Sequence, residues 1–150
     1  MSFSDTEVKD RLEIQHLISR YADIIDGQRF DELDDIFTAD AVIDYSTFGV
    51  PVGGVAEIKE FLRSSFPFFE RTQHMMGLPH IEVSGDSATA RTSCNNPMVS
   101  KKRDGTSEVW LIGLWYDDEL VRTDAGWRFA KRTETRCYTL TGLPDSPMGA

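Results

Sequence analysis

The chain has 150 residues, enough for one ordinary domain whose core can enclose a pocket and a squeeze for two independent cores. Sixteen Lys and Arg against twenty-five Asp and Glu leave a formal charge of −9, which argues against nucleic acid and anionic membrane as partners because both are bound by neutralising phosphates with basic side chains. No stretch is apolar over the length of a membrane span and the first residues carry no basic-then-apolar leader pattern, so a cytoplasmic location is expected.

In chain order, Val8, Leu12, Ile14, Leu17, Ile18, Tyr21, Ile24 and Ile25 recur at three- and four-residue steps, the signature of an amphipathic helix, with Asp5 as its expected N-cap. After Asp26-Gly27, the segment FDELDDIF places Phe30, Leu33, Ile36 and Phe37 on one face of a second, short helix. AVIDY reads as a strand, and TFGVPVGG after it as a turn-rich, hairpin-like return. Ile58, Phe61, Leu62 and Phe66 then repeat at helical spacing and predict a third helix that stops before Pro67.

Everything beyond that proline reads as β. Strands are expected around TQHMM and HIEV, then over SATARTSCNNPMVS, SEVWLIGLWYDDELV and GWRFAKRTETRCYTL, separated by GD, RDG and DAG turns. Such spacing describes an antiparallel meander, and helices followed by strands predict an α+β domain spanning residues 1–150, with a flexible tail over 143–150. SEVWLIGLWYDD is apolar on both faces, which predicts helices on one side and another subunit on the other, a homo-oligomer of dimer or trimer type. Cys94 and Cys137 lack CxxC spacing and are expected as reduced strand residues. The histidines, His16, His74 and His80, show neither HxH nor HExxH spacing, so no metal site is expected, and no cofactor fingerprint is present.

The stretches IQHLISRYADIIDGQRFDELDDIFTADAVIDY, TQHMM and GWRFAKR resemble, in that order and over nearly the whole chain from Val8 to Tyr138, the SnoaL-like branch of the NTF2-like superfamily. That resemblance implies a cone: three N-terminal helices packed on a strongly curved, mostly antiparallel sheet. The superfamily hosts isomerases, dehydratases, cyclases, dehydrochlorinases and non-catalytic modules, so the fold alone does not name a reaction.

The resemblance also implies site residues. In scytalone dehydratase, bile-acid 7α-dehydratase and lindane dehydrochlorinase an Asp at the place of Asp26 pairs with a His at the place of His74. A carboxylate on one ring nitrogen fixes the tautomer and raises the basicity of the other, so that the pair can take a proton at neutral pH. Tyr21 and Tyr45 match tyrosines that hold a substrate oxygen or a water in the dehydratases. Arg132 matches an arginine in the dehydrochlorinase site, with Arg136, of the same strand parity, as its fallback. Asn96 stands near an Asp of the bile-acid enzyme; an amide donates a hydrogen bond there but accepts no proton.

Each residue also has a structural use to set beside the chemical one. Asp26 could cap the second helix, His74 could be a hydrogen-bonded core histidine, Tyr21 one more member of the apolar stripe, and either arginine a surface residue. Strict alternation moreover turns Trp127 and Phe129 to the face opposite Arg132 unless a bulge intervenes. His80, behind Pro79, and His16, on the first helix, need no function. The combined expectation is a cofactor-independent lyase or isomerase on a small apolar ring compound of steroid, terpenoid, polyketide or haloalicyclic type, elimination first. Its alternative is a non-catalytic module that holds a hydrophobic ligand or a partner.

Overall fold

The first helix, α1 (Asp5–Asp26), is capped by Ser4, whose hydroxyl accepts from the Glu7 amide at 3.2 Å, one residue ahead of the Asp5 expected from the sequence. The computed structural model describes residues 2–50 and 52–144. Along α1, Ile14, Leu17, Ile18, Tyr21, Ile24 and Ile25 are buried, the stripe that the periodicity predicts. Gly27 and Gln28, the latter at φ 54°, end the helix.

FDELDDIF forms a six-residue 3-10 helix (Phe30–Asp35) and not an α-helical segment. Three residues per turn bring Phe30 and Leu33 to the same side, and both are buried. Strand β1 (Phe37–Asp44) follows, then a single turn at Ser46–Phe48 and helix α2 (Val55–Ser65). The Glu57 carboxylate accepts from the Gly54 amide at 3.0 Å and holds the start of α2; Phe66-Pro67 converts its end into a 3-10 turn.

The β half comprises β2 (Phe69–Thr72), β3 (Met75–Met76), β4 (His80–Ser84), β5 (Ser87–Lys101), β6 (Ser107–Thr123) and β7 (Gly126–Pro144). The sheet runs β1-β7-β6-β5-β2, with β3 and β4 also paired to β5. Only β1 against β7 is parallel among these pairings. This is the expected α+β architecture: helices lie over one face of a mostly antiparallel sheet, and the core fills the space between. On the strand expected to be apolar on both sides, Leu114 and Tyr116 are buried while Val109, Leu111 and Trp115 stay partly exposed. Cys94 and Cys137 are unpaired strand residues, the first buried and the second exposed. The tail expected to be flexible lies, from residue 145 on, outside the described residues.

One irregularity decides which side chains enter the interior. Glu119 pairs with Lys131 and Leu120 with Phe129, so Ala130 is an extra residue on β7, and a second bulge leaves Cys137 between Arg136 and Tyr138. The first bulge resets the alternation: Trp127 and Phe129 are buried before it and Arg132 is buried after it, all on the core side. Fully buried, Arg132 forms a two-pronged ion pair with the equally buried Asp118, Nε to Oδ1 at 2.7 Å and Nη2 to Oδ2 at 2.8 Å. Its guanidinium carbon lies 4.0 Å from the ring centre of Tyr21, 4.1 Å from that of Phe129 and 4.4 Å from that of Tyr116. The pair thereby ties α1, through Tyr21, to β6 and β7.

Removing one partner of such a pair strands a charge without solvent. Asp118→Ala is expected to cost about 3–5 kcal/mol in urea unfolding, whereas replacing both partners, Asp118→Leu with Arg132→Met, recovers much of that loss. A single substitution that costs no more than a surface change would show that the pair does not anchor the helix to the sheet.

Candidate active site

Asp26 is the last residue of α1, where the chain leaves the helix over the β2–β3 connection. It does no capping work for the next helix, whose N-cap is Arg29. Its carboxylate instead takes three hydrogen bonds from that connection. Oδ1 accepts from the Thr72 hydroxyl at 2.8 Å and pairs with His74 Nδ1 at 2.7 Å, and Oδ2 accepts from the His74 amide at 2.7 Å. His74 lies between β2 and β3, which frees its amide from the ladder for this contact. Burial alone would push the Asp26 carboxyl up; the bonds and charge of His74, with Thr72, overcome burial and hold it below the usual carboxylate range.

With Asp26 ionised, His74 Nδ1 carries the proton and Nε2 is left as an acceptor. The Asn96 amide nitrogen, 3.1 Å away, donates to Nε2, while Asn96 Oδ1 is buried without a partner among the described residues. The arrangement can accept one proton at Nε2 and stabilise the resulting imidazolium through Asp26.

His74 and Asn96 open onto a cavity of about 280 Å³. Tyr21, Tyr45, Ser65 and Glu134 complete its polar wall, and Phe61, Phe66, Phe69, Met98, Trp110 and Leu114 supply much of the apolar remainder. The two phenols, both buried, share a hydrogen bond of 2.5 Å. Burial pushes both up from the ordinary tyrosine range, so they stay protonated donors at any working pH. Of the six residues expected at a site, Asp26, His74, Tyr21, Tyr45 and Asn96 come together around this space, Asp26 from behind the imidazole.

Arg132 does not line the cavity, which corrects the expectation that it holds a leaving group or carboxylate. The bulge turns it inward, but Asp118 and three aromatic rings enclose it. Arg136, the fallback, is exposed, with its guanidinium carbon 5.8 Å from the Phe48 ring centre. His80 opens β4 as an exposed residue, and His16 is exposed on α1.

Glu134 is an ionisable cavity residue that the sequence did not single out. It is half-buried on β7, two residues past Arg132, and its carboxyl makes no hydrogen bond to a described residue. Its parity signal was present, because Arg132, Glu134 and Arg136 alternate, but without the bulge that parity points away from the core. Burial pushes the Glu134 carboxyl up to about 8. Tyr116 and Arg132 pull it back, Tyr116 from the paired position on β6 without hydrogen-bond geometry at its hydroxyl, while the charges of Asp118 and Asp44 raise it further.

The family model for the SnoaL-like domain matches residues 6–133. The chain belongs to the SnoaL-like family. One relative, an uncharacterized protein of Mycobacterium tuberculosis, is 44% identical to this SnoaL-like chain over 135 residues, 90% of each. Among solved structures, the Kfla4162 protein from Kribbella flavida shares 31% identity at a TM-score of 0.80, covering 88% of this chain and 93% of that one. A hexachlorocyclohexane dehydrochlorinase (LinA, type 2) superposes at a TM-score of 0.82 over 98% of this chain and 100% of its own, and at 22% identity it shares the fold.

The raised Glu134 carboxyl predicts a specific pH dependence for this SnoaL-like chain. Between the ordinary glutamate value of 4.5 and about 8 the folded state holds a proton that the unfolded chain has released, so stability falls as pH rises through that window. Tm is expected to drop more steeply in the wild type than in Glu134→Gln when pH is raised from about 5 to about 9. Parallel Tm curves by differential scanning calorimetry would mean that Glu134 ionises as an ordinary surface glutamate does.

Proposed function

We propose that this protein is a cofactor-independent lyase acting on a small, largely apolar ring compound, with His74, oriented by Asp26, as the base that removes a proton. The observation that carries the reading is the pairing of His74 Nδ1 with Asp26 at 2.7 Å while the His74 ring, with Asn96 at its Nε2, lines a cavity made mainly of apolar side chains. Tyr21 and Tyr45, kept protonated, are placed to steady the oxygen that gains charge as the proton leaves. Elimination of water or another leaving group is the preferred reaction. The structural likeness to a dehydrochlorinase adds to that preference, since that protein too is named for an elimination.

A volume of about 280 Å³ falls just below the usual span of ligand pockets, about 300 to 1,000 Å³. It favours compounds of one or two rings over a four-ring steroid.

One contact supports a second reading, a module that binds a hydrophobic ligand without turning it over. Asn96 occupies the free lone pair of His74, so both imidazole nitrogens have protein partners. Under the lyase reading the substrate displaces the Asn96 amide; under the binding reading the contact persists in the complex.

Nitrobenzisoxazole, which opens to a phenolate as a base removes its isoxazole C–H proton and the N–O bond breaks, separates the two. The wild type is expected to accelerate ring opening, and His74→Ala and Asp26→Asn each to lower kcat/KM by about 10²–10⁴-fold with circular dichroism unchanged. Ring opening at equal rates in the wild type and His74→Ala would sink the base assignment and leave the binding module.

A further inference from the structure

We infer that Glu134 is a second catalytic residue of this cavity, the acid that delivers a proton to the leaving oxygen while His74 removes one from carbon. This rests on the elimination reading above and adds the half of the reaction that a lone base leaves undone. Hydroxide is a poor leaving group, and an elimination of water needs a donor at the departing oxygen as well as an acceptor at the carbon.

The placement is favourable. Asn96, which marks the His74 end, is on β5, and Glu134 is on β7, with β6 between them. The register sets Asn96 opposite Ile112 and Glu134 opposite Tyr116 of β6, so the two side chains approach the cavity from across two strand spacings, roughly 10 Å of sheet width. They flank a substrate whose C–H and hydroxyl stand on adjacent carbons, the C–H toward His74 and the hydroxyl toward Glu134. Glu134 reaches this space because the Ala130 bulge turns it inward, and no described side chain occupies its carboxyl by hydrogen bonding, so it is available to a ligand.

Its surroundings favour the neutral acid. Burial raises its carboxyl to about 8, against the pull of Tyr116 and Arg132. Asp118 and Asp44 act in the same sense as burial, and Glu134 in turn raises Tyr21, Tyr45 and Cys94. His74 and Asp26 complete the titratable groups around the cavity. Arg132, the nearby cation, gives Nε and Nη2 to Asp118 and makes no hydrogen bond to Glu134. Burial raises Tyr21 and Tyr45 and makes them weaker acids than Glu134, whereas a donor that titrates near the working pH is better suited to hand over a proton.

Atoms and electrons balance across the step. His74 Nε2 takes the proton from carbon, and the C–H electron pair becomes the second bond of the new C=C. The C–O pair leaves with oxygen, which receives the Glu134 proton and departs as water. The site is left as imidazolium and carboxylate, and a proton passing through solvent from His74 to Glu134 restores it. The substrate class is thus a neutral ring compound bearing a hydroxyl β to an activated C–H, as in a cyclic β-hydroxyketone.

The test compares two leaving groups. Nitrobenzisoxazole releases a stable phenolate that needs no proton; the acetone aldol of nitrobenzaldehyde, a β-hydroxyketone, releases water and is read by enone absorbance. Glu134→Gln is expected to slow the hydroxyketone by about 100-fold or more, at least about thirtyfold beyond its effect on nitrobenzisoxazole. The hydroxyketone rate should also fall above about pH 8, a limb that Glu134→Gln lacks. Equal losses on both substrates, or wild-type turnover of nitrobenzisoxazole alone, would overturn the acid while leaving the base intact. Loss of both activities in His74→Ala with none in Glu134→Gln would do the same. A carbon-13 carboxyl titration, assigned by its disappearance in Glu134→Gln, needs no substrate: a midpoint near 8 supports the acid, and one in the ordinary glutamate range overturns it even if neither compound turns over, an outcome that would separately count against the elimination reading.

Discussion

The extra residue at Ala130 is the constraint on which the interior of this cone depends. A regular β7 would send Arg132 and Glu134 to the side opposite Trp127 and Phe129, and Asp118 would then be a buried carboxylate without a cation. With the bulge, four side chains of one strand serve the core side: two aromatic rings fill it, a guanidinium neutralises it, and a carboxyl enters the cavity. A bulge on a long strand both bends the strand and re-aims the side chains beyond it.

Asp26 joins the helical and β halves in a different way. Its carboxylate is a junction between the end of α1 and the irregular link from β2 to β3, holding that link by a hydroxyl, a backbone amide and an imidazole. The orientation of His74 is therefore fixed by its own backbone as well as by its ring. Structure and chemistry are here the same three hydrogen bonds, and a loss of the carboxylate would loosen the link as well as the dyad.

Much of this was legible in the chain. Apolar periodicity gave α1 and α2 their buried faces, and turn residues separated the strands, because both signals are local and repeat over many residues. FDELDDIF became a 3-10 helix because so short a segment carries too little pattern to distinguish three residues per turn from 3.6. Ser4 displaced Asp5 as cap, since adjacent polar residues compete for that place on equal chemical terms. Asp26 and His74, forty-eight positions apart, were linked by family resemblance and not by spacing. Arg132 does turn inward, but Asp118 and three aromatic rings keep it from the cavity. Glu134 was overlooked because strict alternation points it away from the core. Their facing is set by the pairing of β6 with β7, a property of two strands that no alternation within one of them encodes.

The enclosure of Arg132 has a consequence for what can enter. Its charge is spent on Asp118 and screened by aromatic rings, the phenols are neutral, and Glu134 in its protonated form adds nothing. Among the described residues, the resident formal charge beside the imidazole is then the anion of Asp26. A carboxylate or phosphate ester would be desolvated there without a counter-ion and beside a like charge, whereas an uncharged ring would meet no such barrier. Under the proposed reading the cavity would sort ligands by ionic state before it sorts them by shape.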